Sequence, residues 1–488
     1  MVSLCATNGL RLYDRDRRSR SEWGENAAVA FAPLGAPRSQ GPLEPPRARD
    51  YLGRTMRHSR AILIGAVALL AGCNRSATAN KQEPAANIIP AGGEGEPTKP
   101  RTDVATSAPV ETGAPNVPEF EPAFPEQTRA PAIKTRTPIQ VSEVADDLDQ
   151  PWAIEFLPDG RMLVTEKHDG ELHIVGATGT VSPPVAGVPR VDGRDQGGLL
   201  DVTLDPSYPQ NQLIYLSYYE PREGGNGLAV ARARLVPSDP PKLEKLQIIF
   251  RMQPTMESTK HAGGRLVFAP DGKLFVALGE RSILEGRVQA RDLGSHFGKL
   301  VRINPDGSVP KDNPFVNKPG ARPEIWSLGH RNVLAADFDP LGRLWVVEMG
   351  PRGGDELNLV EKGKDYGWPT IGYGEEYSGK RIHDRTQAPG MEQPVYYWDP
   401  VISPGALTIY TGDLFPEWKG NFLIAGLSSK ALIRLELKDN RVVGEERLLA
   451  DRGDRIREVV QGPEGAVYLL TDDDDAELLK LTPSAKTQ

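Results

Sequence analysis

The 488-residue sequence has two cysteines, Cys5 and Cys73. That excludes a disulfide scaffold and a cysteine-built zinc site. Aromatics make up 7% and the formal charge is −8. No basic stripe interleaves with Tyr or Trp, so nucleic acid is excluded as a partner. No apolar run reaches the roughly 18 residues of a spanning helix. A GxGxxG after a strand, a GxSxG and an HExxH are all missing, which removes the commonest dinucleotide, hydrolase and zinc-protease chemistries. The hydrophobic fraction, 39%, is low for a chain packed throughout. Turn formers are plentiful instead: Gly 50 and Pro 44 make up about a fifth of the chain.

Residues 1–55 are rich in Arg, Pro and Ser with no apolar period. Met56-Arg57-His58-Ser59-Arg60 then opens an apolar stretch, Ala61 to Leu70, closed by Leu70-Ala71-Gly72-Cys73. A basic start, a short apolar core and small residues before a cut describe an export signal. Ending in Leu-Ala-Gly-Cys, it resembles the bacterial lipoprotein signal, in which Cys73 is acylated and becomes the first residue. The expectation is a start at Met56, a misassigned segment 1–55, a signal at 56–73 and an exported, periplasmic protein. Asn74 after the cysteine favours an outer-membrane anchor by the same resemblance. Residues 1–72 hold 11 Arg against 6 acidic residues, which leaves about −13 on the remainder. Residues 74–135, rich in Pro, Ala, Gly, Thr and Glu, read as a disordered tether with no packed contacts.

From about residue 136 to 485, short β-rich runs alternate with Gly, Asp and Pro turns. A strand-turn-strand unit recurs at 153–166, 201–220, 265–280, 335–350, 413–427 and 458–472. Its turn prolines, Pro158, Pro206, Pro270, Pro340, Pro416 and Pro463, lie 48, 64, 70, 76 and 47 residues apart. Six such hairpins predict an all-β, six-bladed β-propeller with four-stranded antiparallel blades. A β-sandwich would not repeat one hairpin six times.

A propeller builds its site from loops of several blades at one end of the channel. Polar clusters at the repeats are therefore the candidates. Asp195-Gln196-Gly197-Gly198 precedes the second unit, and Lys260-His261-Ala262-Gly263-Gly264-Arg265 enters the third. Gly329-His330-Arg331-Asn332 precedes the fourth; Arg331 and Asn332 suit a carboxylate or a polar ring, or simply a surface turn. After it come Glu348-Met349-Gly350-Pro351-Arg352-Gly353-Gly354-Asp355-Glu356 and Lys364-Asp365-Tyr366-Gly367-Trp368-Pro369. Carboxylates and free carbonyls there suit Ca²⁺, without EF-hand spacing. Arg455-Ile456-Arg457 puts two Arg on one face of an extended segment, a carboxylate clamp or a solvated basic edge.

In this order, the GQGGLLD-type, HxGGRLVF, GxRN, GPRGGDExN, KDYGWP and RxR motifs resemble the soluble aldose sugar dehydrogenases that use pyrroloquinoline quinone, over about residues 138–483. The resemblance implies His261 as general base and Gln196 beside it. It implies Arg331 and Asn332 at the quinone carbonyls, and Arg455 and Arg457 on the cofactor carboxylates. Gly350 and Pro351 become carbonyl ligands of a Ca²⁺ at the cofactor, and Glu356 and Tyr366 ligands of a further Ca²⁺. Two departures stand out. Lys260 replaces the Asp of glucose-specific relatives, which argues against strict glucose preference. The cofactor lysine's slot holds Ser428, and Lys430, two residues on, would substitute for it.

The implied reaction removes a hydride from the anomeric carbon of an aldose, gives a lactone and passes electrons to an external acceptor. A monomer or homodimer is expected. Two rival readings share the fold. A Ca²⁺-dependent lactonase would need an acidic ring in the channel, for which the sequence shows too few carboxylates. A non-catalytic binding module would not need His261, Arg455 and Arg457.

Overall fold

A computed structural model describes residues 107–484. The expected start at Met56, the signal at 56–73, the anchor Cys73 and most of the tether lie outside the described residues.

Six antiparallel sheets follow one another along the chain. Blade one is Pro151–Phe156, Met162–Glu166 and Glu171–Val175. Its outer position holds a single bridge, Val175 to Val181. Blade two runs Leu199–Leu204, Leu213–Arg222, Gly225–Val236 and Lys242–Arg251. Blade three is built from Leu266–Phe268, Leu274–Leu278, Lys299–Ile303 and Ile325–Leu328. Blade four uses Val333–Phe338, Leu344–Glu348, Asp355–Val360 and Tyr396–Trp398. Blade five is Pro404–Ile409, Phe422–Gly426, Ala431–Lys438 and Arg441–Leu448. Blade six takes Ile456–Gln461, Val467–Thr471 and Ala476–Pro483 from the C-terminus and Ile139–Leu148 from the N-terminal side. Ile139 pairs with Pro483 and Val141 with Leu481, which ties the ring shut.

The second strands explain the repeated apolar runs. Met162–Glu166, Leu274–Leu278, Leu344–Glu348, Phe422–Gly426 and Val467–Thr471 are buried at every residue. Each blade is covered on both faces by its neighbours, so these strands lose the usual in-out alternation. Burying one Val, Leu or Ile in this way contributes roughly 1.5–3 kcal/mol. In the fifth unit, 413–427, the stretch before the turn at Pro416 is not the expected strand but part of a loop that includes the 3-10 turn Pro416–Trp418, and the inner strand lies upstream at Pro404–Ile409. Trp418 and Phe415 stack there at 4.0 Å, so the turn is apolar because it is buried.

The tether expectation fails for its last part. Residues 107–135 pack against the propeller. Gln127 is wholly buried, donating to the Pro394 carbonyl and accepting from the Tyr373 hydroxyl. Asn116 binds Asp399 through its main chain and its amide. Ala132 forms a parallel bridge with Glu445 on the outer strand of blade five. Thr135 donates to Glu446 from both its main chain and its hydroxyl. Composition hides this docking because the partners of these residues lie far away in the chain.

Inner strands share one irregularity. The register slips at Pro151/Ala153, Leu199/Val202, Val333/Ala335, Pro404/Ala406 and Ile456/Glu458. Each slip is at the start of a strand, and a bulge re-aims the side chains beside it. Trp152, Leu334 and Arg457 sit in three of these bulges, and all three line one cavity.

Candidate functional site

The cavity is about 570 Å³, within the size range of small-ligand sites. Its walls come from blades at both ends of the chain. Trp152 and Lys167 belong to blade one, Gln196 and Tyr219 to blade two, and Ala262 and Gly263 to the entry of blade three. Asn332 and Met349 flank blade four, Leu427 follows the second strand of blade five, and Arg455, Arg457 and Asp472 belong to blade six.

His261 is not itself among the cavity-lining residues; its chain neighbours Ala262 and Gly263 are, and its own side chain is buried, 6% exposed. Its backbone is left-handed, φ 46°. Two bonds hold this conformation: the His261 N–H donates to Gln196 Oε1 at 3.0 Å, and its carbonyl accepts from the Arg281 N–H. Gly279 closes behind it; a Cβ there would stand 2.3 Å from the His261 carbonyl and 2.5 Å from Asn332 Oδ1. On the ring, Nδ1 lies 2.8 Å from Glu280 Oε1. A carboxylate accepts, so Nδ1 carries the proton and Nε2 keeps its lone pair. Burial, then the Arg331 guanidinium, push the His261 pKa down to about 4 against the pull of Glu280. The imidazole is therefore neutral at pH 7. The ordinary value near 6.5, which sequence alone suggests, does not hold here.

Arg455 and Arg457 do share a face, as expected, but they are not free. Arg455 donates to Asp472 Oδ2 at 2.8 Å and Arg457 to Oδ1 at 2.6 Å. Burial would raise the Asp472 carboxyl, yet Arg457 and Arg455 outweigh it and hold it low. The Asp472 carboxylate thereby fixes both guanidinium groups and leaves their remaining N–H donors for a ligand. Lys167 is the cation that sequence reasoning missed. It is buried in the cavity wall and makes no hydrogen bond or ion pair with a described side chain. Burial and then Arg457 lower its pKa to about 8. The signal was available: Lys167 directly follows the second strand of the first repeat. Lys430, by contrast, stands exposed in the turn after Phe422–Gly426, with φ 52°, and is not among the lining residues.

Asn332 lines the cavity and accepts from the Gly263 N–H at 3.2 Å. Arg331 turns the other way. It donates to the Met349 and Gly350 carbonyls at 2.8 and 2.6 Å and lies over the Trp368 ring. It borders a second, ion-sized void of about 20 Å³ with Glu348, Gly350, Pro351, Glu356 and Tyr366. Burial and then Glu348 push the Glu356 carboxyl well above the usual range. Two buried carboxylates with main-chain carbonyls around an ion-sized space fit a hard divalent cation. The Tyr366 hydroxyl is already engaged, donating to the Leu359 carbonyl and accepting from the Glu361 N–H. A cation would meet Tyr366 only at its main-chain carbonyl.

The channel holds more carboxylates than the sequence suggested. Inner strands bring Glu155, Asp201, Asp337 and Glu458 near one guanidinium, Arg265. Arg265 donates to Asp201 at 3.1 Å and to Glu458 at 2.8 Å, over the Trp152 ring. Burial, then Asp201, raise the Glu155 pKa to about 8. Arg265 thus supplies the positive charge within this acidic ring that a lactonase would assign to Ca²⁺.

Known proteins resemble this chain over the propeller. Residues 148–480 match the family model described as Glucose / Sorbosone dehydrogenase. The aldose sugar dehydrogenase YliI of Escherichia coli is 42% identical over 349 residues, covering 71% of this chain and 93% of that protein. Quinoprotein glucose dehydrogenase B of Acinetobacter calcoaceticus is 26% identical over 407 residues, covering 67% of this chain and 84% of that protein. The PQQ-bound form of the Streptomyces coelicolor aldose sugar dehydrogenase superposes with a TM-score of 0.59 at 27% identity, covering 71% of this chain and all of that one. The chain belongs to the glucose / sorbosone dehydrogenase family.

Proposed function

We propose that this protein oxidises the anomeric hydroxyl of an aldose to a lactone, with pyrroloquinoline quinone as hydride acceptor and Ca²⁺ as its companion. One observation carries the reading: an oriented, neutral imidazole stands beside a cavity lined by three cations. The quinone has three carboxylates, and Lys167, Arg455 and Arg457 would hold them; Asn332 and Gln196 add polar contacts. Gly350 and Pro351 would offer main-chain carbonyls to the Ca²⁺ at the cofactor, Gly350 only once Arg331 gives up its carbonyl, and Glu356 with the Tyr366 carbonyl would hold a further Ca²⁺. The bound quinone supplies a two-electron acceptor, made more electrophilic by the cation.

The protein's own part is proton handling and positioning. His261 Nε2 takes the proton from the sugar hydroxyl. Glu280 keeps the ring in the tautomer that can do so and stabilises the imidazolium formed. Gln196 fixes the His261 main chain, and Asp472 sets the aim of both arginines. Trp152, Tyr219, Leu334 and Met349 restrict water on the apolar side. Electrons then pass to an external acceptor. Lys260 pairs with Asp195 at 3.7 Å on the exposed rim, a place where sugar preference would be set. The signal resemblance at residues 56–73 supports export and a lipid anchor facing the periplasm.

The test is a titration of purified apo protein with pyrroloquinoline quinone and CaCl₂, following dye reduction by a panel of aldoses. Saturable, quinone-dependent reduction that is lost on chelation is expected. Quinone binding without reduction by any aldose, or lactone hydrolysis without quinone, would overturn the proposal.

A further inference from the structure

A separate polar cluster sits on the hairpin of blade one. Glu166 pairs with Glu171 and Val164 with His173, so Glu166, Glu171 and His173 share one face of the ladder. Their ligand atoms lie within 4.8 Å of one another. Glu166 is buried, and so is His173, at 7% exposure; Glu171 opens to solvent.

His173 Nδ1 lies 2.9 Å from the Ser182 carbonyl. A carbonyl only accepts, so Nδ1 carries the proton and Nε2 of the neutral ring presents a lone pair. That Nε2 is buried and has no hydrogen-bond partner. It faces Glu166 Oε2 at 3.4 Å and Glu171 Oε2 at 3.3 Å. The Asp149 N–H occupies the other Glu166 oxygen. Three electron-rich atoms converge, two of them on buried side chains, so a positive charge belongs between them.

A second proton on Nε2 would serve only if the N–H lay along one of the two contacts, and neither has hydrogen-bond geometry. A tetrahedral metal ion fits the spacing better. Bonds of about 2.0–2.2 Å place neighbouring ligand atoms about 3.3–3.6 Å apart. A carbonyl on the distal ring nitrogen is the usual orienting partner of a metal-bound histidine. Imidazole with two carboxylates suits Zn²⁺, whereas Ca²⁺ takes oxygen ligands alone.

We propose that Glu166, Glu171 and His173 form a zinc-type site with a fourth position open to water, distinct from the cofactor cavity and its calcium positions. The site braces the end of the hairpin that delivers Lys167 to the cavity and His168 to the Asp195 carbonyl.

The full chain, purified without a metal-binding tag and stripped with chelator, is titrated calorimetrically with ZnCl₂ in excess CaCl₂. One equivalent should bind, and X-ray absorption should show one imidazole nitrogen with oxygens at about 2.0–2.1 Å. His173→Leu should weaken this binding on the order of a hundredfold or more, whereas His168→Ala should not. Glu171→Gln, at a partly exposed position, serves if His173→Leu misfolds, and should weaken binding at least tenfold. Unchanged zinc affinity in a folded variant of His173 or Glu171 would overturn the site. So would a parent protein with no zinc affinity better than millimolar, whose His173 titrates as an ordinary ion-paired imidazolium. Neither readout involves quinone or sugar, so this result and the oxidation assay fail independently.

Discussion

His261 Nδ1 and Glu280 Oε1 stand 2.8 Å apart, and the carboxylate is wholly buried. This pair fixes both the tautomer and the direction of the imidazole. Burial and Arg331 hold the ring neutral down to about pH 4. The base form exists above the pKa and is lost below it. In the reconstituted enzyme, kcat/KM should therefore stay level as pH falls from 7 to about 5, and drop only near pH 4. A limb at the ordinary histidine value, about 6.5, would contradict the assignment.

His261→Gln should bind quinone as the parent does and lose turnover on the order of a hundredfold or more. Glu280→Gln should lower kcat by roughly tenfold to a hundredfold, because an amide can donate to Nδ1 and shift the ring proton to Nε2. Stopped-flow reduction of prebound quinone separates these losses from binding.

Lys167 makes a sharper test of the cavity than Lys430. Lys167→Met should raise the quinone dissociation constant roughly tenfold to a hundredfold, the worth of a hydrogen bond to a charged group. Lys430→Ala should leave it unchanged. Lys167 holds its charge below about pH 8, so quinone affinity should decline above that pH in the parent and not in Lys167→Met. Equilibrium titration across pH reads both. Arg457→Ala should cost more, because Asp472 then keeps only Arg455.

Deleting residues 1–135 should destabilise the propeller. The deletion uncovers Tyr373, Tyr396 and Glu446, which pair with Gln127, Ala130 and Thr135. Each lost bond with a buried partner costs about 1–3 kcal/mol. Thermal melts of the truncated and full chains should differ by several degrees, and coincident melts would show that the docking is not stabilising.

Arg265→Leu should be among the most damaging single changes. It leaves Glu155, Asp201, Asp337 and Glu458 without their shared cation. Breaking one side of a buried pair costs about 3–5 kcal/mol. The urea midpoint should fall accordingly, and a small shift would mean that the carboxylates take up protons instead.

Changing Cys73 to Ser should move the protein from the membrane to the soluble fraction when it is expressed in a bacterium that processes lipoproteins. Unaltered fractionation would count against the anchor.

Much of this molecule is legible in its sequence. Five of the six hairpins, the all-β class and the entry loops at Gln196, His261, Asn332 and Arg455-Arg457 follow from local periodicity and turn chemistry, because a strand and its turn are encoded within a dozen residues; the fifth misses its inner strand, which lies upstream at Pro404–Ile409. What the chain cannot show locally is which surfaces meet. The docking of 107–135 depends on Gln127 and Thr135 finding Tyr373 and Glu446 more than 240 residues away. The pairing of both arginines with Asp472, the low His261 pKa and the acidic ring around Arg265 likewise come from burial and from neighbours on other blades. Lys167 shows the division most clearly. Its position after a repeat strand was written in the sequence, but only ring closure, which brings blade one beside blade six, places it with Arg455 and Arg457 in one cavity.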